Sequence, residues 1–99
     1  MEITEIKVFP VNEDKLKAYV TIVLSNCFVV RDLKVIQGID GLFVAMPSKR
    51  RKDGTFKDIA HPVNQATRVR MEKEILDAYT HSLKEGVPQS SHSADHSLD

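Results

Sequence analysis

The chain reads in two halves: apolar and polar residues alternate at a period of two up to about residue 46, and helical spacing dominates after residue 64. From Glu2 to Phe9, Thr4, Ile6 and Val8 fall on one side and Glu5 and Lys7 on the other, which predicts a half-buried strand. Pro10 closes it, and Asn12-Glu13-Asp14-Lys15 makes a polar connection. Lys17 to Leu24 predicts a second strand, with Ala18, Val20, Ile22 and Leu24 on one face and Tyr19, Thr21 and Val23 on the other. Ser25-Asn26 is a candidate two-residue hairpin turn. Cys27 to Gln37 predicts a longer third strand, wet on one face because Arg31, Asp32 and Lys34 interrupt its Val and Ile residues. Gly38-Ile39-Asp40-Gly41 supplies a turn, and Leu42 to Met46 a fourth strand. Connections this short between successive strands imply an antiparallel meander.

The alternation stops at Pro47, which cannot donate to a sheet ladder. Four consecutive cations follow, Lys49-Arg50-Arg51-Lys52, then Asp53-Gly54, a pair suited to a tight turn. The chain returns through Thr55 to Ile59 and meets a second boundary at His61-Pro62. The expected form is a cationic loop held between two prolines, with a short return strand.

Asn64 is a plausible N-cap for a helix from about Gln65 to Lys84. Val69, Ile75, Leu76, Tyr79 and Leu83 are its expected buried stripe, with Glu72 inside it and Arg70 and Lys73 on the other side. Gly86 and Pro88 stop the helix, and the polar run around Ser90 to His96 is expected to be disordered. The predicted fold is α+β: an antiparallel β-meander of four strands plus a short return strand, with one long C-terminal helix packed on it. Residues 1–85 are expected to form one domain and residues 86–99 a disordered tail.

Ninety-nine residues suffice for a single core but not for two lobes and a deep cleft. One cysteine, Cys27, rules out an internal disulfide and fits a reducing cytoplasm. The start lacks the cationic-then-apolar order of a signal peptide, and no apolar run approaches membrane-helix length, so a cytoplasmic location is expected. Charge is balanced overall, 14 cations against 14 acids. Its distribution is uneven. Between Lys49 and Lys73, eight cations (Lys49, Arg50, Arg51, Lys52, Lys57, Arg68, Arg70 and Lys73) face three acids, Asp53, Asp58 and Glu72. Such asymmetry suggests one polyanion-facing surface.

Most charge runs are simply solvated surface. Here the run is held at both ends by proline, and further cations open the helix, which favours contact with phosphates. Arg50 and Arg51 are the best candidates for phosphate or base contact, with Lys49 and Lys52 as supporting charge. At the start of the helix, Thr67, Arg68 and Arg70 lie where free N–H groups attract anions, and Gln65 could tune sequence preference. The competing account for Arg68 is an i,i+4 pair with Glu72.

Catalytic readings are weak. His61 more plausibly hydrogen-bonds a backbone group at its turn, and Cys27, with no paired histidine motif, is expected to be a small buried residue and not a nucleophile. Asp53 and Asp58 flank the return with no indicated pocket. His92 and His96 have an i,i+4 spacing that a metal could use, but incidental composition of a polar tail accounts for it better. No phosphate-binding Gly-rich motif is present. No enzyme activity, cofactor, metal, small-molecule substrate or membrane contact is expected.

Met46-Pro47-Ser48-Lys49-Arg50, Asp53-Gly54 and Asp58-Ile59-Ala60-His61-Pro62 together resemble the signature of the stage V sporulation protein G family. The similarity extends to Met1-Glu2-Ile3-Thr4, to Val35-Ile36 and to Gly41 through Met46, and covers roughly residues 1–84. It implies a homodimeric regulator that binds DNA and RNA and is linked to septation and sporulation. Where the family pattern places Thr-Pro, this chain has Arg51-Lys52, which removes a residue of fixed φ and adds two charges. The alternative is a protein-interaction adaptor in septum formation, acting through sheet edges or the helix, with no direct nucleic-acid contact.

Overall fold

The computed structural model describes residues 2–85. In chain order the elements are β1 (Ile3–Pro10), β2 (Leu16–Leu24), β3 (Phe28–Gly38), β4 (Gly41–Ala45), β5 (Ser48–Arg50), β6 (Phe56–Asp58) and α1 (Gln65–Glu85). The first four strands form one antiparallel sheet in the order β1-β2-β3-β4, and β5 and β6 form a separate two-stranded ribbon. This is the α+β meander with a packed helix that the alternation predicts. The expected return strand, β6, pairs with Ser48–Arg50 instead of joining the main sheet. Buried Pro47 explains the break, because its missing N–H ends the ladder that β4 carries. The segment predicted as a disordered tail, with His92 and His96, lies outside the described residues.

Register follows the hydrophobic pattern. Val8 stands opposite Val20 and Ile6 opposite Ile22, while Ala18 and Val20 meet Val35 and Leu33 on β3. Together with Leu24, Val44 and Met46 these residues build the core against α1. A one-residue slip would turn this set away from α1 to the sheet's other face, so the register is firmly specified. The sheet's other face holds Lys7, Thr21 and Val23, which are also buried, beside half-exposed Tyr19 and Phe43.

Two local irregularities shape β3. Ser25 and Asn26 both have positive φ (50° and 57°), the pattern of a type I′ turn, and the Cys27 N–H donates to the Leu24 carbonyl at 3.0 Å. Between Val20 and Ile22 the ladder shifts, so Arg31 and Asp32 bulge from β3, with Asp32 at φ 66°. The bulge lets Val30 and Leu33 pack on the same core although they stand three positions apart, an odd spacing that would otherwise put them on opposite faces.

Asn64 caps the helix as predicted: its Oδ1 accepts the Thr67 N–H at 2.8 Å. The buried stripe differs from the expected one. Met71, Ile75, Tyr79 and Ser82 are buried, with Leu76 and Ala78 beside them, whereas Val69 and Leu83 are more than half exposed. α1 meets both outer strands, β1 and β4, so it crosses a twisted sheet whose edges approach it. Glu72 fastens the crossing, its Oε2 accepting the Val44 N–H of edge strand β4 at 3.0 Å. No helix among the described residues is long and apolar enough to cross a membrane.

Candidate nucleic-acid interface

The cationic run is not a loose loop. Its first half is strand β5, paired so that Ser48 faces Asp58, Lys49 faces Lys57 and Arg50 faces Phe56. Only Arg51 and Lys52 belong to the tip. There the Gly54 N–H donates to the Arg51 carbonyl at 3.0 Å and the Arg51 N–H to the Thr55 carbonyl at 2.7 Å. Gly54 sits at φ 93°, so the tip is a three-residue connection closed by a glycine bulge. Asp53 braces it through Oδ1, which accepts both the Thr55 hydroxyl at 2.7 Å and the Thr55 N–H at 3.0 Å. These bonds, the hydroxyl's first, hold the Asp53 carboxyl below its usual 3.8. Ordering by Asp53 and Gly54 thus replaces the rigidity that a proline at the tip would supply.

Alternation along a strand gives the ribbon two faces. Lys49, Arg51, Lys57 and Ile59 share one, and they line an open, mainly cationic groove together with Lys52 and with Arg50 and Asp58, which reach it from the ribbon's other side. Arg50 and Phe56 share the other, and Phe56 is 69% exposed. Lys57 and Phe56 extend the site beyond the residues singled out from sequence. Cross-strand pairing to the cationic run is the signal that reveals them, and it requires knowing that Ser48–Arg50 is itself a strand.

The ribbon is anchored where its strands meet the core. The Ile59 N–H donates to the Pro47 carbonyl at 2.8 Å. His61 Nδ1 lies 2.9 Å from the Pro62 carbonyl, the backbone role expected for it. Pro47, Ala60, His61 and Pro62 line an apolar hollow whose other wall includes Thr67 and Met71 of α1. The base of the ribbon and the first turns of the helix therefore adjoin across one hollow.

The helical candidates are placed differently from one another. Gln65 is exposed at the helix start, while Thr67 turns partly into the hollow, its N–H already taken by Asn64. Arg68 is half-buried and does not pair with Glu72, whose carboxylate is directed to β4. Arg70 lies 4.0 Å from Glu74, and Lys73 lies 3.0 Å from Asp77, so part of the helix's positive charge is balanced locally. No cluster of metal-ligating side chains occurs among the described residues. Cys27 is exposed in the β2–β3 turn instead of packing as the small buried residue its composition suggests.

The SpoVG family model matches residues 1–81. A protein of Anaeromyxobacter sp. (strain Fw109-5) is 71% identical over 87 residues, covering 88% of this chain and 90% of its own length. One from Bdellovibrio bacteriovorus is 71% identical over 84 residues, 85% of this chain and 78% of its own. One from Caldicellulosiruptor bescii is 44% identical over 87 residues, 87% of this chain and 99% of its own. All three carry the name "Putative septation protein SpoVG". Ribbon, sheet and nearly all of the helix fall inside the matched region, and the chain belongs to the SpoVG family.

Proposed function

We propose that this protein is a non-catalytic, cytoplasmic nucleic-acid-binding regulator that acts as a homodimer and serves cell septation and sporulation control. The observation that carries the reading is the β5–β6 ribbon, which presents Lys49, Arg50, Arg51, Lys52 and Lys57 on a braced hairpin outside the core. Fixed cations on a projecting ribbon neutralise phosphates and release their counterions, and a two-stranded ribbon is narrow enough to enter a major groove. Arg68 and Gln65 at the adjoining helix start would extend the contact, with Arg70 contributing less because Glu74 lies beside it. DNA is the expected target, with RNA as a second. Dimerisation would set two ribbons on one particle.

The reading is tested by fluorescence anisotropy of labelled DNA and RNA oligonucleotides, with the wild type beside Arg50→Ala/Arg51→Ala. Circular dichroism checks that the double variant folds. Loss of binding in the folded variant supports the ribbon as the contact, and unchanged binding refutes it. Absence of any binding by the wild type would leave the septum adaptor as the reading to pursue. Light scattering after size exclusion tests the dimer.

A further inference from the structure

Phe56 is the one aromatic side chain on the ribbon and lies outside the core. Most of the gain from burying a Phe is forgone here, since 69% of the residue is exposed. A lone exposed apolar residue needs no explanation, but Phe56 is not alone. It stands directly opposite Arg50, and paired residues project from the same face of the ribbon with their Cβ atoms roughly 5 Å apart. Among the described residues, neither salt bridges nor side-chain hydrogen bonds engage Arg50. That face therefore carries an aromatic ring and a guanidinium at paired positions, with Asp58 two residues further along the same strand, Arg51 and Lys52 close by at the tip, and Lys49 and Lys57 on the opposite face.

An aromatic ring and a guanidinium plane are the two protein surfaces on which unpaired bases stack, while neighbouring cations hold the flanking phosphates. A polyanion without rings would gain nothing from Phe56. A base-paired duplex would gain little, because its base faces are already stacked. We infer that Phe56 and Arg50 form a stacking platform for an unpaired nucleobase, so the ribbon prefers single-stranded nucleic acid over duplex of the same sequence. This rests on the nucleic-acid reading above and adds to it the class of strand and the residue that selects it. Charge complementarity favours nucleic acid over a protein occupant, since the cations of the ribbon outnumber its acids, Asp53 and Asp58.

The chain has no tryptophan, so Phe56→Trp places a single reporter at the platform. Its emission is followed while adding a single-stranded oligonucleotide, the corresponding duplex, or inorganic polyphosphate as a cation-binding probe without bases. Strong quenching by the single strand, with little by polyphosphate at equal occupancy, is the expected result. Anisotropy in parallel should show Phe56→Ala losing roughly 5-fold or more in affinity for the single strand and little for the duplex. Phe56→Tyr should retain most of the affinity. Equal quenching by polyphosphate, or equal loss for single strand and duplex, overturns the platform. Wild-type binding that Phe56→Ala leaves unchanged overturns stacking while leaving the cationic contact standing. No wild-type binding to either strand form removes both. Emission that shifts with protein concentration alone would assign Phe56 to a contact between copies of the chain and overturn the platform too.

Discussion

Lys49 and Lys57 stand directly opposite one another across the β5–β6 ribbon. Like charges in that position repel, and the ribbon has only three residues per strand with which to offset the repulsion. A bound polyanion would neutralise both ammonium groups at once. Lys57→Glu is therefore expected to steady the free ribbon by a few tenths of a kcal/mol, up to about 1 kcal/mol. The same change should weaken polyanion binding. Amide hydrogen exchange at Arg51 and Ile59, whose N–H groups close the ribbon, measures the first effect. Anisotropy measures the second. Faster exchange in the variant, or tighter binding, would contradict the account.

The bond from Val44 N–H to Glu72 Oε2 occupies an edge donor of β4 that would otherwise be open to pairing with another chain. Glu72→Ala should cost about 1–3 kcal/mol, because the edge donor loses a charged acceptor. For a domain of this size that corresponds to a fall in Tm of very roughly 5–20 °C. Glu72→Gln keeps an acceptor oxygen and should lose less. Thermal unfolding of the three proteins checks the order. Equal Tm values for wild type and Glu72→Ala would remove the bond from the list of stabilising contacts.

The buried stripe of α1 makes a second stability prediction. Ile75 is fully buried, so Ile75→Ala should destabilise by about 2–5 kcal/mol. Leu83 is 55% exposed, and Leu83→Ala should cost under about 1 kcal/mol. Denaturant titration distinguishes the two, and a larger loss for Leu83→Ala would mean that the sheet covers a different side of the helix.

Asp53 gives the ribbon tip a pH dependence of known sign. Its carboxyl is held below 3.8 by the two Thr55 bonds, so the brace is complete above that value. It is lost as pH falls through the lowered folded-state value. The Thr55 amide resonance should therefore move on acidification with a midpoint below the usual 3.8. Asp53→Asn should abolish the movement. A Thr55 titration centred above 3.8 would contradict the assigned bonds.

Much of this fold is legible in the residues. Alternation over Ala18, Val20, Ile22 and Leu24 specifies the buried face of β2, and Asn64 announces the helix start. Asp53-Gly54 announces the turn. The ribbon is less legible, because a strand of three residues carrying Lys49 and Arg50 has no hydrophobic period to reveal it. The β3 bulge is hidden for a related reason: Asp32 tolerates positive φ without demanding it, and only pairing with β2 forces the shift. On α1, apolar residues populate two neighbouring stripes. Packing on the sheet decides between them: Met71, Ile75 and Tyr79 join the core, whereas Val69 and Leu83 stay more than half exposed. The candidate site follows the same division. Its cations, Lys57 among them, are visible in sequence, whereas the places of Lys57 opposite Lys49 and of Phe56 opposite Arg50 emerge only from cross-strand pairing.

The most direct test of the central claim is the salt dependence of oligonucleotide affinity, measured by anisotropy for wild type, Arg50→Ala/Arg51→Ala and Arg68→Ala/Arg70→Ala. Each phosphate neutralised contributes about −0.9 to the log–log slope on duplex DNA and about −0.7 on single strands. A steep wild-type slope is predicted, shallower by roughly 1.4–1.8 in the ribbon variant and less changed in the helix variant. A wild-type affinity that does not vary with salt, or a ribbon variant that keeps the wild-type slope, would contradict the assignment of the β5–β6 ribbon as the nucleic-acid contact.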